Sequence, residues 1–255
     1  MEQRIKSLVF PKEHGAWALT FEPLVLALLL APSLPGGFLF LGATFAFFAH
    51  PSARALLSSG KDKALALKIF LGTALPAIIF LGYYLKLTAW PQHAPLLLAL
   101  ALMASYLILE LFSFERALAT EILASVSMGL IALSIVLSDG WSWRVALGFL
   151  VLVYSRSIGT TVYIFYRLRL LKKQEIKVWP GILVHVLDGL LLLYLMSQNI
   201  IPVLGFVAGS MLIVRAFWNL SPRMRKATVR QLGFAEVYFG LAFLGLTAVG
   251  YWLGW

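Results

Sequence analysis

The sequence predicts an all-α fold, a polytopic membrane helical bundle of about nine transmembrane helices, on three observations. Of its 255 residues, 61% are apolar and only 13% are charged, and the mean hydropathy is +0.88. A water-soluble domain would need far more polar residues to cover its surface. The apolar residues come in runs of about 20, the length that crosses a bilayer. Lys and Arg concentrate in alternate connections between these runs, as they do in loops on one side of a membrane.

The predicted helices follow one another through short connections. They lie at 15–33, 36–57, 66–88, 94–113, 119–138, 144–165, 179–198, 200–218 and 232–253. Charged residues, Pro and Gly bound these runs. Glu22 and Pro23 interrupt the first run, which argues against a cleaved signal peptide and favours a retained helix. No polar or Ser/Gly-rich block divides the chain, so we expect residues 1–255 to form a single integral membrane domain.

The positive charges predict the orientation. Most loop Lys and Arg residues lie before the first run and in the connections after even-numbered runs, whereas Lys86 and Arg144 lie in the others. Basic loops face the cytoplasm, so the N-terminus is predicted to be cytoplasmic and the C-terminus outside, in a multi-pass protein of the cell membrane. The net charge of +10 is then explained by orientation, and no nucleic-acid partner is expected. The chain has no cysteine, which excludes disulfides and thiolate metal sites.

Ionisable residues inside the apolar runs are the candidates for function. Each costs roughly 2.5–3.5 kcal/mol on insertion scales, so each needs a partner or a role. They are Glu22, His50, Glu110, Glu121, Arg156, His185, Asp188, Arg215 and Glu236.

The first run, in "VFPKEHGAWALTFEPLVLALLLAP" (9–32), places His14, Ala18 and Glu22 on one helix face. Glu22 lies roughly 10 Å deeper than His14, and Pro23 is expected to bend the helix beside it. Two interpretations stay open. Either the face is a polar track into a cavity, or His14 is interfacial and Glu22 pairs with a buried arginine, for which Arg156 is the best candidate.

Carboxylates cluster in "ELFSFERALATEILASVSMG" (110–129), which contains Glu110, Glu115, Arg116 and Glu121. Such a cluster can bind a divalent cation or act as an acid–base pair. The alternative is a solvated turn in which Arg116 neutralises a neighbour. We favour the solvated turn for Glu115 and leave both interpretations open for Glu110 and Glu121.

The sixth run, in "YSRSIGTTVYIFYRLRLLKK" (154–173), carries Arg156, Thr160, Tyr163 and Arg167 at helical spacing. Arginine is a permanently charged, forked donor that suits phosphate or carboxylate. These residues predict an anion-binding wall. The alternative is that Arg156 serves as the internal partner of Glu22 or Glu110.

His185 and Asp188 stand three residues apart in "HVLDG" (185–189), where they can hydrogen-bond to each other. Such a pair can relay protons, but two ligands alone make no metal site, so none is predicted. No P-loop, HExxH, GxSxG or dinucleotide fingerprint appears, and ATP-driven chemistry is not expected.

Three segments resemble one known family. The motif "PKEHGAWA" at 11–18, which contains His14 and Trp17, resembles the opening of the YwiC-like proteins of bacterial membranes. The "FERALATE" turn and "RQLGFAEVYFGL" at 230–241 are also similar to that family. The resemblance implies a membrane protein and no particular activity.

The predicted plan is also distantly similar to that of the UbiA-type intramembrane prenyltransferases. That resemblance implies nine helices and two polar inner loops, whose aspartate-rich motifs hold Mg²⁺ and a prenyl diphosphate. This chain differs from those enzymes in both loops. The loop after the second helix reads "HPSARALLSSGKDK", with His50 and Arg54, and the loop after the sixth reads "FYRLRLLKKQE". Cations in these places repel Mg²⁺ but suit an anionic head group. A UbiA-like arrangement without Mg²⁺ is therefore expected, and the cofactor stays unknown.

Three functions remain open at this point. They are binding of an isoprenoid or other anionic lipid-like ligand, with or without transferase chemistry; transport of a small anion or protons; and a non-catalytic role in membrane assembly. Convergence of Glu22, Glu110, Arg156 and His185 on one cavity would favour a ligand site. The ligand-binding candidates are His14, Trp17, Glu22, His50, Arg54, Glu110, Arg116, Glu121, Arg156, Thr160, Tyr163, Arg167, His185 and Asp188.

Overall fold

A computed structural model describes residues 2–11, 14–57, 63–111, 118–220 and 228–254. Within these ranges the chain forms ten helices and no strand, which confirms the predicted all-α bundle. The helices are α1 (Glu2–Val9), α2 (His14–Leu30), α3 (Leu34–Leu57), α4 (Lys63–Leu87), α5 (Trp90–Leu111), α6 (Leu118–Ser138), α7 (Trp143–Leu171), α8 (Trp179–Ser197), α9 (Val203–Leu220) and α10 (Val229–Leu253).

Eight of the described helices, α3 to α10, are long and apolar enough to cross a membrane. Helix α2 has 17 residues, the lower limit of the usual range for a crossing. The nine predicted runs correspond to α2 through α10. The chain is therefore a polytopic helical membrane protein.

The largest differences from the predicted helices are α1 and the end of α7. The short helix α1 was not predicted, because eight residues containing charged side chains give no apolar run. Helix α7 has 29 residues and continues to Leu171, beyond the predicted end at 165. Arg167 and Arg169, counted with the loop cations because they follow that end, lie inside the helix, and Arg167 is buried.

Helix α6 forms the centre of the bundle. It contacts α2, α3, α5 and α7, and its residues from Gly129 to Leu137 are all buried. Helix α7 continues the packing to α8 and α9, while α10 contacts α2, α7 and α9. Helices α4 and α8 expose leucines such as Leu75 and Leu190, as expected of helices that face lipid.

Exposed tryptophans lie near both ends of the bundle. Trp90, Trp143 and Trp252 stand where α5 and α7 begin and where α10 ends. Trp179 and Trp218 stand at the opposite end, where α8 begins and α9 ends. Tryptophan prefers the membrane–water interface, so the two groups fit the two surfaces of a bilayer. We name the second end the basic end, because the arginines at the end of α7 lie there.

Candidate functional site

Arg156, on α7, joins three helices through its guanidinium group. Its Nε and Nη2 atoms donate to the two oxygens of Glu22 on α2, over 2.7 and 2.9 Å. Nη1 donates to Thr160 over 2.9 Å and to the Glu236 carboxylate over 3.2 Å, and Nη2 also donates to the Glu236 carbonyl oxygen. All five N–H donors of Arg156 can thus be used. The predicted pairing of Glu22 with Arg156 is confirmed.

A second buried arginine extends this cluster to α9. Nη1 of Arg215 donates to Oε2 of Glu236, and Nη2 donates to Thr160 over 3.3 Å. Its guanidinium carbon lies 4.5 Å from the ring centre of Tyr163 and 5.3 Å from that of Phe239. The connected side chains, named the ion network below, are Glu22 of α2, Arg156 and Thr160 of α7, Arg215 of α9 and Glu236 of α10.

The ion network lies inside the membrane span, towards the basic end. Glu22 and Glu236 stand about two turns after the starts of α2 and α10, which is roughly 10 Å along each helix. The side chains are largely buried, at 1% exposed for Arg215, 6% for Arg156, 14% for Glu236 and 19% for Glu22. Buried charges are tolerated only when paired, and four helices therefore depend on this network for their packing.

A groove on the surface of the bundle borders the ion network. It has a volume of about 360 Å³ and is lined by Met211, Val214, Arg215, Trp218, Asn219 and Phe239. Arg215 is the charged residue of a lining that is otherwise almost entirely apolar. Arg215 Nε and Glu236 Oε1 are both buried and have no hydrogen-bond partner within the described ranges. The network therefore retains one donor and one acceptor without a partner in the described part of the chain, and the donor belongs to Arg215, which lines the groove.

The predicted anion-binding wall of α7 is only partly assembled. Thr160 belongs to the ion network, and buried Tyr163 lies against Arg215. Arg167 is buried nearer the basic end, where its Nη1 donates to the carbonyl oxygen of Asn219 over 3.4 Å. These residues share one side of α7, and Arg156 and Arg167 make separate contacts with neighbouring helices.

The predicted hydrogen bond between His185 and Asp188 is wrong. Asp188 instead accepts a hydrogen bond from Ser155 over 2.5 Å. The His185 ring is buried over Gly159, and its Nε2 has no partner in the described part of the chain. Because α8 packs against α7, both side chains contact α7 rather than each other.

Glu110 lies in a second cluster that joins α5 to α3. His50 Nε2 is 2.7 Å from one Glu110 oxygen, and Arg54 Nη1 is 3.3 Å from the other. The alternative that Arg156 partners Glu110 is therefore wrong, because Arg156 faces α2 and α10. Glu22, Glu110, Arg156 and His185 therefore do not converge on one cavity, the arrangement that would have favoured a ligand site formed by all four.

The remaining candidates contribute differently. Trp17 packs among Phe21, Phe47 and Phe48, and its Nε1 donates to the carbonyl oxygen of Pro11 over 3.2 Å. Glu121 is exposed in the first turn of α6. Arg116 and the side chain of His14 lie outside the part of the molecule that the structure describes. Across the described part, no three His, Asp or Glu residues are grouped closely enough to hold a metal ion.

Sequence reasoning gave too little weight to Arg215 and Glu236. Both were recognised as ionisable residues inside apolar runs, but neither was included among the ligand-binding candidates. The available signal was their position, since two opposite charges at similar depth in adjacent helices α9 and α10 can pair.

The helices and the buried ion network define the class as a polytopic membrane protein with paired charges inside its span. The family model described as YwiC-like protein matches residues 10–136. The chain is therefore similar to the YwiC-like family over these residues, a match that includes Glu22 and ends before Arg156. No curated protein and no solved structure matches the chain, so the UbiA-like arrangement stays a prediction.

Proposed function

We propose that this protein binds an isoprenoid or another anionic lipid-like ligand in the groove between α9 and α10. One observation carries the proposal: Arg215 is a buried cation in the wall of an apolar groove, and its Nε has no partner in the described residues. An apolar groove with one cation is complementary to an amphiphile, whose chain is apolar and whose head is anionic. A volume of about 360 Å³ is within the ordinary range for small-ligand sites.

The two network arginines differ in what they can offer a ligand. Arg156 directs its donors to Glu22, Thr160 and Glu236, so its role is to hold helices together. Arg215 donates from Nη1 to Glu236 and from Nη2 to Thr160, and its Nε has no partner in the described residues. That edge of a guanidinium is the one that binds a carboxylate or phosphate through two parallel hydrogen bonds. We therefore assign the head group to Arg215, supported by Thr160.

The test is the lipid retained by purified protein. Mass spectrometry of wild-type extracts is expected to detect an isoprenoid or anionic lipid, reduced roughly tenfold or more in Arg215→Gln, because a hydrogen bond to a charged group is lost. Arg144→Gln is the matched control, since Arg144 is exposed at the opposite end and donates to the Gln198 carbonyl. Equal retention by wild type and Arg215→Gln, or no such lipid above a detergent blank, would contradict the proposal.

Transport of a small anion or of protons is the second candidate. It is favoured by the alternation of acid and base in the ion network, where Glu22, Arg156, Glu236 and Arg215 contact one another in sequence. Such a chain of groups can exchange partners as an ion passes. Ion flux into proteoliposomes that contain wild type, Arg215→Gln or Arg144→Gln distinguishes transport from ligand binding. Flux in the wild type that Arg215→Gln abolishes favours transport over binding alone.

We also propose that the basic end faces the cytoplasm of a bacterial inner membrane and that residues 1–255 form one domain. The distribution of Lys and Arg supports the orientation. The cysteine-free chain allows single introduced cysteines to test it. A membrane-impermeant maleimide is expected to label Gln198→Cys in intact spheroplasts, and Gln174→Cys, at the basic end, only after permeabilisation. The reverse labelling pattern would refute the orientation.

A further inference from the structure

We propose that binding of an anion at Arg215 is accompanied by uptake of one proton, and that Glu236 is the residue that takes it up. The inference rests on the proposed function, since it concerns the same groove and the same arginine. It adds that the ligand enters as an anion together with a proton.

The charge balance of the ion network is the first step. Within the described residues, its two arginines face two glutamates, so the network is neutral as it stands. An anion bound to Arg215 leaves one uncompensated negative charge among side chains that are at most 19% exposed. A buried charge without a counter-charge is strongly unfavourable, and a group inside a membrane span relieves it by changing its protonation. Uptake of one proton restores neutrality.

Contacts of the two carboxylates identify which one accepts the proton. Both oxygens of Glu22 receive hydrogen bonds from Arg156, which the ligand does not displace. Glu236 shares its Oε2 between Arg156 and Arg215, and its Oε1 is buried without a partner in the described part. An anion that occupies Arg215 weakens one of these contacts and places a negative charge nearby. The anion thus takes the place of the Glu236 carboxylate at Arg215, and we assign the proton to Glu236 for that reason.

Protonation of Glu236 also changes its capacity to form hydrogen bonds. Its Oε1 is an acceptor without a donor in the described residues, and a carboxylate has acceptors only. Protonation gives Glu236 an O–H donor, which a carboxylate lacks.

The charged and titratable groups around Glu236 come from the three helices that pack against α10. These groups are Glu22 of α2, Arg156 and Tyr163 of α7 and Arg215 of α9. His185 of α8 also competes for the proton, because it interacts electrostatically with Arg215 and has a buried Nε2 without a partner in the described ranges. His185 therefore has to be separated from Glu236 by experiment.

Calorimetric titration of the purified full chain with octanesulfonate tests the inference. The sulfonate carries a constant single charge, so any proton exchanged passes between the buffer and the protein. Titrations at one pH in phosphate and in Tris, which have different ionisation enthalpies, give the number of protons bound. We expect about one proton per octanesulfonate, and a dissociation constant that rises about tenfold for each unit of increasing pH.

Two variants assign the proton. Glu236→Gln keeps an oxygen for the arginines and is expected to bind octanesulfonate with no proton uptake and little pH dependence. His185→Gln is expected to behave like the wild type. Uptake that persists in Glu236→Gln, or that disappears in His185→Gln, overturns the assignment. If Glu236→Gln does not fold, the pH dependence of the wild type still shows whether a proton is taken up, and His185→Gln still shows whether His185 accepts it.

The outcomes distinguish this inference from the proposed function. Wild-type binding that Arg215→Gln abolishes, but that exchanges no proton, overturns the coupling and leaves the groove as an anion site. Failure of the wild type to bind octanesulfonate overturns the anion site and the coupling together.

Discussion

Replacing Arg156 with glutamine is expected to lower the free energy of unfolding by about 3–5 kcal/mol, the usual cost of removing one partner of a buried ion pair. The variant leaves Glu22 facing a neutral amide instead of a bidentate guanidinium. It also removes one of two cations that contact Glu236. Unfolding by SDS in mixed micelles, followed by tryptophan fluorescence, measures the loss.

A double variant shows whether the loss comes from the unpaired charge. Glu22→Gln combined with Arg156→Gln removes both members of the pair and is expected to recover at least half of the stability lost in Arg156→Gln. Arg144→Gln, an arginine outside the network, is expected to stay within about 0.5 kcal/mol of wild type. Wild-type stability of Arg156→Gln, or strictly additive losses in the double variant, would show that the pair does not couple these helices.

The two arginines of the ion network therefore have separable roles in our proposal. Arg156 is bound by acceptors from α2, α7 and α10, so its loss acts first on folding. Arg215 faces the groove, so its loss acts first on the ligand. A protein that binds amphiphiles inside a bilayer needs both kinds of arginine. An arginine that has no ligand bound keeps its position only where other contacts fix its helix.

The positions of the helices could be predicted because each crossing needs about 20 apolar residues and the charges between them mark the connections. The pairing of Glu22 with Arg156 could be predicted for a related reason. Few charges lie inside the spans, and burial requires an opposite charge nearby. Both predictions follow from the cost of placing polar groups in lipid, which is visible in a single sequence.

The rest of the network depends on which helices are neighbours. Hydropathy does not say that α10 packs beside α7 and α9, and only that arrangement brings Glu236 between Arg156 and Arg215. The partner of Glu110 could not be predicted for the same reason, because its contact with His50 requires α3 and α5 to approach at one end. The His185–Asp188 prediction used spacing alone and omitted α7, which offers Ser155 to the carboxylate.

Gly240 on α10 provides the second large effect, because a side chain there would collide with the ion network. A Cβ at this position would meet Oε1 of Glu22 and would lie 2.7 Å from Nη2 of Arg156. These atoms hydrogen-bond to each other, so neither can move without breaking the pair. Gly240→Ala is expected to cost about 1–3 kcal/mol from overpacking, plus about 1.5–3 kcal/mol if the charged hydrogen bond breaks.

Gly245, five residues further along α10, is the matched control. A Cβ added there would meet no atom within 4 Å. Gly245→Ala should therefore be neutral or stabilising by up to about 1 kcal/mol, because alanine has the better helix propensity. Mixed-micelle unfolding of the two variants measures the difference on one helix with one chemical change. Equal stabilities would mean that α10 does not approach Glu22 and Arg156 closely enough to need glycine. A loss confined to Gly240→Ala would instead show that one missing methyl group permits the ion network to form, because small residues let membrane helices come close enough for polar side chains to pair.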